Sequence, residues 1–126
     1  MTRTQFTLYL QNRPGALAAV AKSLAEAKVN IEGVSAATSA DVGLVQIIVS
    51  DPKATTKVLK KADVAFTTQE VAVLTLKNRP GELARLAAKL SRSGVNINYV
   101  YGTTCRDECT LVVSAQELDK IERMSK

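Results

Sequence analysis

Asn12-Arg13-Pro14-Gly15-Ala16-Leu17 recurs as Asn78-Arg79-Pro80-Gly81-Glu82-Leu83, and Val29-Asn30-Ile31 recurs as Val95-Asn96-Ile97, both at an offset of 66 residues. Leu24 matches Leu90 on the same offset. A period this long is one complete small domain, not the roughly 20- to 50-residue unit of a solenoid. The chain is therefore expected to hold two modules, residues 1–69 and 70–126, with a boundary near Gln69.

The element order follows on either side of the repeated turn. Phe6, Leu8 and Leu10 alternate with Thr7 and Tyr9, and Leu74 and Leu76 repeat the pattern, so each copy opens with a half-buried strand. Leu17, Val20, Ala21 and Leu24, like Leu83, Leu86, Ala87 and Leu90, have the spacing of one helix face. Two apolar runs, 30–38 and 44–49, flank Ser39, Ala40, Asp41 and Gly43 and predict a hairpin. Asp51-Pro52 supplies an N-cap and a proline at the first helical position, with Ala54, Val58 and Ala62 on the expected buried face, and Val64 to Thr68 closes the copy as a strand. In the second copy Ser114-Ala115-Gln116-Glu117 reads as a capping box before Leu118, Ile121 and Met124.

The expected class is α+β: a ferredoxin-like βαββαβ sandwich, duplicated, with the second copy lacking its last strand because no closing run follows its second helix. Val64 to Lys77 carries no glycine, proline or asparagine, so one copy's closing strand is expected to run almost directly into the next copy's opening strand. Leu44, Val45, Ile47, Ile48 and Val49 are broken only by Gln46, which predicts a strand covered on both faces, by another module or another subunit.

Composition narrows the function. The chain of 126 residues is 46% hydrophobic and 23% charged, has no run long enough to span a bilayer, and opens on Met1-Thr2-Arg3-Thr4-Gln5 with no secretory pattern; the expectation is a soluble cytoplasmic protein with no membrane partner. The net charge of +5 divides as +3 and +2 between the halves, without the clustered basic surface that nucleic acid needs, and 4% aromatic content leaves little for base stacking, so a basic RNA-binding module ranks last among the alternative functions. With no histidine, no phosphate loop and no nucleophile motif, an enzyme is not expected, and no cofactor is implied. Cys105 and Cys109 cannot complete a four-coordinate zinc site alone; they are read as facing each other across a hairpin, where they could oxidise reversibly.

A strand ending in Asn-Arg-Pro-Gly, then a helix, then Val-Asn-Ile, twice over, resembles the ACT domain, and the resemblance covers nearly the whole chain. It implies a regulatory protein that binds a small molecule, an amino acid above all, as a homodimer, or alternatively a regulatory subunit contacting a metabolic enzyme with a vestigial ligand site. The physics of the turn fits such a site. After Pro14 and Pro80 the first helical turn offers amides without intrahelical partners, at Gly15, Ala16 and Leu17 and at Gly81, Glu82 and Leu83, a natural receptor for a carboxylate. Asn12 and Asn78 either orient the loop or touch the ligand, and Asn30 with Ile31 and Asn96 with Ile97 open the next strand, where an amide suits both ends of an amino acid. Glu82 in place of Ala16 is expected to repel a carboxylate from the second site. Lys28 stands where the second copy has Gly94, so it is either strained by about 1 kcal/mol or the helix ends differently.

Overall fold

The computed structural model describes residues 1–39 and 41–124. The elements follow the order β1 (Thr2–Gln11), α1 (Ala16–Glu26), β2 (Ile31–Ser39), β3 (Val42–Val49), α2 (Pro52–Lys61), β4 (Ala65–Lys77), α3 (Glu82–Arg92), β5 (Ile97–Cys105), β6 (Glu108–Ala115) and α4 (Leu118–Met124). Ala40, expected in the β2–β3 hairpin, lies outside the described residues. None of these helices is long and apolar enough to cross a membrane. Two compact units result: Thr4–Gln69, and Met1–Arg3 together with Glu70–Lys126.

In the first unit the strand order is β2-β3-β1-β4, the order of a ferredoxin-like sheet. Antiparallel pairing sets Phe6 opposite Ile47 and Leu8 opposite Val45, which points all four at the helices, where Val20, Leu24 and Leu59 complete the core. Phe66 of β4 closes this core, its ring 5.7 Å from that of Phe6. Phe6 is 1% exposed, so its burial alone contributes about 1.5–3 kcal/mol. Gln5 and Ile48 pair on the opposite face and both are buried, so β3 is covered on both sides there, as the apolar run Ile47-Ile48-Val49 requires.

Helix ends show how local chemistry sets the elements. Asp51 caps α2 by accepting a hydrogen bond from the Ala54 amide at 3.1 Å, with Pro52 at the first helical position. The buried face of α2 is centred on Thr55 and Leu59; Ala62, expected inward, is exposed. Leu17 and Leu83 are likewise exposed; in each first turn the preceding residue, Ala16 or Glu82, takes the more buried position. At the end of α1, Lys28 takes the left-handed conformation, φ 62°, while the Val29 amide bonds the Leu24 carbonyl at 2.9 Å. Gly94 does the same at φ 74°, so the helix ends identically in both copies and Lys28 bears the strain.

The second unit pairs β4, β6 and β5 in that order, with Leu74 opposite Leu111 and Ala72 opposite Val113 around Leu90 and Ile121. Its fourth position is not empty. Met1 and Val73 exchange two backbone hydrogen bonds, Val73 N to Met1 O at 2.7 Å and the Met1 ammonium to Val73 O at 3.3 Å, the signature of an antiparallel pair. The Thr2 hydroxyl donates to the Glu122 carboxylate, and the Met1 ammonium lies 3.8 Å from it. Met1–Arg3 thus stand where the closing strand of the second copy belongs. β4 is one uninterrupted strand of 13 residues, its first residues in one unit and the rest in the other.

Two local readings are corrected in this unit. Ser114 is no helix cap: it lies in β6, buried, and Glu117, at the start of α4, accepts a hydrogen bond from the Asn96 amide instead. The hairpin register sets Cys105 against Glu108 and Thr104 against Cys109. Cys105 and Cys109 therefore point to opposite faces, and an intramolecular disulfide would need the pairing to slip. A two-residue turn, with Arg106 at φ 58°, causes the one-residue difference. On the same face as Val112, Tyr99 and Tyr101 stack with centroids 6.4 Å apart, and burial, with the neighbouring Tyr99, pushes the Tyr101 hydroxyl up to about 12.

Candidate functional site

Each Pro-Gly turn ends a strand and starts a helix by the same geometry. Gly15 and Gly81 are the N-cap residues at φ 88° and 89°, a conformation that strains any residue with a Cβ. A Cβ built on either meets nothing within 4 Å, so the space beside both backbones is open. The Asn12 amide bonds the Asp41 carbonyl at 2.9 Å and the Asn78 amide bonds the Asp107 carbonyl at 2.8 Å, tying each turn to the hairpin beside it. The Asn78 side chain reinforces this by donating to the Arg106 carbonyl at 2.9 Å.

The expected amide receptor is smaller than the sequence indicates. The Ala16 amide turns back to the Arg13 carbonyl at 3.3 Å, and Glu82 to Arg79 at 3.4 Å. Intrahelical bonding resumes with the Ala19 amide on Gly15 and the Arg85 amide on Gly81, both at 2.9 Å. Between them, the amides of Leu17 and Ala18, and of Leu83 and Ala84, have no protein acceptor among the described residues.

Beside the first turn lies a cavity of about 190 Å³, with Asn12, Arg13, Ala16 and Leu17 on one side and Ala36 and Ala37 of β2 on the other. That is space for several water molecules or a small polar group. Arg13 is its cation. Its Nε donates to the Gln11 side chain at 2.8 Å, and it has no carboxylate partner among the described residues. Sequence reading placed Arg13 in the repeat but not in the site; its position inside the repeated tetrad was the available signal. The run Ser35-Ala36-Ala37-Thr38, whose small side chains leave the cavity open, was another.

The second turn is charged differently. Glu82 Oε2 lies 3.3 Å from Arg79 Nε and 3.2 Å from an Arg85 guanidinium nitrogen, and the Glu82 side chain is only 12% exposed. Neither guanidinium is aimed at Oε2 closely enough for a hydrogen bond, so the contact is one of charge. Glu82 thus brings a carboxylate of its own to the arginine that in the first copy is free of one.

Asn30 and Asn96 do not join these turns within a module. The Asn30 amide and carbonyl bond Ser50, each at 2.9 Å, and the Asn96 amide bonds Glu117 at 3.0 Å. Asn30 stands just before β2, whereas the cavity meets that strand at Ala36, about 20 Å away at roughly 3.3 Å per residue. Ile31 and Ile97 belong with them, half-buried against their own cores. Asn96 and Ile97 line a separate, shallow cavity of about 460 Å³ with Gly94 and Val95.

This geometry can be set against known proteins. The model of the ACT domain pair matches residues 1–124. Among solved structures, protein BT0572 from Bacteroides thetaiotaomicron is 32% identical, with a TM-score of 0.93 over 98% of this chain and 85% of that one. The ligand-free regulatory subunit of aspartate kinase from Thermus thermophilus shares the fold at 16% identity and a TM-score of 0.72, over 95% of this chain and 87% of that one. Aspartokinase III of E. coli, in complex with aspartate and ADP, shares it at 18% identity and a TM-score of 0.64, over 95% of this chain but 30% of that one. No curated protein matched. A family model spanning both copies of the turn, helix and sheet described above settles the class, and the chain belongs to the ACT domain pair family.

Proposed function

We propose that this protein is a non-enzymatic regulator that binds a small amino acid at the first Pro-Gly turn. The observation that carries the reading is the 190 Å³ cavity at the start of α1, which combines an arginine without a carboxylate partner with two unengaged helix amides. The ligand's carboxylate lies against Arg13 and the Leu17 and Ala18 amides, where charge and dipole both favour an anion. Gly15 leaves its approach open and Asn12 holds the turn in place. The second turn, with Asn78, Gly81 and Leu83, binds more weakly because Glu82 already occupies its arginine. Asn30 with Ile31, and Asn96 with Ile97, serve a ligand from a surface other than the Pro-Gly turn of their own module.

A thermal-shift screen against the twenty amino acids tests this. A ligand at about 100 times its Kd raises stability by about 2.7 kcal/mol. The same screen without any shift, together with flat calorimetric titrations, would defeat the reading. A second reading, a regulatory subunit that contacts a metabolic enzyme, is supported by the fold shared with the Thermus thermophilus protein, which is a regulatory subunit of aspartate kinase. It predicts that the protein alters the kinetics of such an enzyme in the absence of added amino acid.

A further inference from the structure

The exposed face of α2 carries a charge that nothing in its own module answers. Lys53, Lys57, Lys60 and Lys61 stand at i, i+4, i+7 and i+8, and all four are exposed. At 3.6 residues per turn they fall within an arc of about 100°, opposite the buried face of Thr55 and Leu59. None has a carboxylate partner among the described residues. Division of the net charge by halves hides this concentration. Residues 1–69 hold eight basic and five acidic side chains, and four of the eight are these lysines, so without them that half is acidic on balance.

The arrangement costs the helix more than it gives. Lys60 and Lys61, in the last turn, suit the helix dipole, but Lys53 in the first turn opposes it. Lys57 repels Lys53 and Lys61, four residues away on either side, and Lys60, three residues on. The second copy treats the same surface differently. At the 66-residue offset Lys53 and Lys57 correspond to Asp119 and Arg123 of α4, which form an ion pair at 3.1 Å. α4 has two acids and two bases, so the fold itself does not call for a basic stripe.

The extent and surroundings of the stripe define what fits it. From Lys53 to Lys61 it spans about 12 Å at 1.5 Å per residue. Carboxylates border it: Asp51 precedes the helix, Asp63 follows it, and Glu26 of α1 lines the groove beside Lys61. A phosphate backbone or a lipid plane continuing past either end would run against these acids. α2 also exposes no large apolar side chain to enter a bilayer, and has no aromatic ring or arginine to engage a base.

We propose that the lysine face of α2 docks the acidic face of a helix in a partner protein, a little over two turns long, with carboxylates at i, i+4 and i+8. Such a helix repeats its acids at the interval of about 6 Å that separates Lys53, Lys57 and Lys61 along α2, so several pairs form at once. Each exposed pair is weak and screened by salt, which makes the contact transient and orienting. This surface is separate from the turn at Gly15, and its use does not depend on an amino-acid ligand.

The test uses the nitrogen-15-labelled full chain at about 0.1 M salt, where charges more than about 10 Å apart are largely screened. The probe is an alanine-rich helical peptide, acetylated and amidated, with glutamates on one face at i, i+4 and i+8. Amide shifts should saturate and centre on α2. An isomeric peptide with the same glutamates spread around its helix should bind at least threefold more weakly. The combined changes Lys53→Gln, Lys57→Gln, Lys60→Gln and Lys61→Gln should weaken the parent peptide at least fivefold, whereas Lys22→Gln, Lys28→Gln, Lys77→Gln and Lys89→Gln together should alter it less than twofold. Lys53→Asp, which installs the pairing of the second copy, should raise the melting temperature while weakening the peptide at least twofold. The absence of saturable shifts on α2, equal binding of the isomer, or equal weakening by the two quadruple variants would each overturn the proposal. So would tighter binding at α2 by a DNA duplex or by phosphatidylserine vesicles, which would assign the face to phosphates.

Discussion

Glu82 Oε2 lies 3.3 Å from Arg79 Nε, while the counterpart of Arg79 in the first copy, Arg13, bonds only the neutral side chain of Gln11. The repeated turn thus exists in two charge states within one chain. If the reading of the site is right, Arg13→Ala removes a charge-assisted contact of about 1.5–3 kcal/mol and weakens amino-acid binding by roughly 10- to 100-fold. Glu82→Ala should instead raise the binding stoichiometry toward two per chain. Calorimetry on both variants checks this; unaltered affinity in Arg13→Ala would place the ligand elsewhere.

Lys28 and Gly94 end equivalent helices in the same left-handed conformation, and only one of them is glycine. Lys28→Gly should therefore stabilise the protein by about 1 kcal/mol, and Gly94→Ala should destabilise it by a similar amount. Urea unfolding midpoints, at constant slope, give the comparison.

These two cases mark what was legible in the sequence. The offset of 66, the Pro-Gly starts of α1 and α3 and the Asp51 cap are local signals, and each names its own geometry. The place of Met1 beside Val73 is not local, since no pattern in residues 1–3 reveals a partner more than seventy positions away. The Cys105 hairpin failed for a different reason. Whether a turn has two or three residues decides every facing pair beyond it, and Arg106 at positive φ is not a residue that announces the shorter turn. Ser114 matched the capping box in spacing, but the apolar run of Leu111, Val112 and Val113 carried the strand through it. In the site itself, the turn glycines were readable, whereas the pairing of Glu82 with two arginines, and hence the inequality of the two copies, required side-chain geometry.

Gly102 has no room for a side chain. A Cβ there would lie 2.3 Å from the Thr110 carbonyl oxygen and 2.5 Å from Leu111 Cδ2. Gly102→Ala must push β5 from β6 and should cost about 1–3 kcal/mol, whereas Gly43→Ala, whose nearest contact is 3.6 Å, should cost less. Thermal melts of the two variants, compared with the parent, test the ranking.

Tyr101 ionises at about 12, against an ordinary value of 10.0, because burial and the neighbouring Tyr99 disfavour its phenolate. A raised folded value means that the neutral hydroxyl is favoured by folding. Its contribution is fully present below pH 10 and is lost as the pH rises from about 10 through about 12. Phenolate absorbance should show one of the three tyrosines titrating late, and Tyr101→Phe should remove that late step.

Val34, 55% exposed on β2, and Val100, 41% exposed on β5, leave apolar side chains on the outermost strand of each unit. Self-association of the chain through such surface predicts a dimer at micromolar concentration. Sedimentation equilibrium returning a mass of 13.5 kDa throughout that range would remove the prediction.

The membership of Met1–Arg3 in the unit of Glu70–Lys126 has a consequence for synthesis on the ribosome. Residues 4–69 hold every strand and helix of their own unit, so that unit can close while the rest of the chain is still being made. The other cannot. Thr2 is made 120 positions ahead of Glu122, and the hydrogen bond between them closes only once both are present. A loop of that length closes late and at an entropic cost, so the first three residues wait, unpaired, for a neighbour not yet translated. The order in which the two units close is therefore written into which residues complete which sheet.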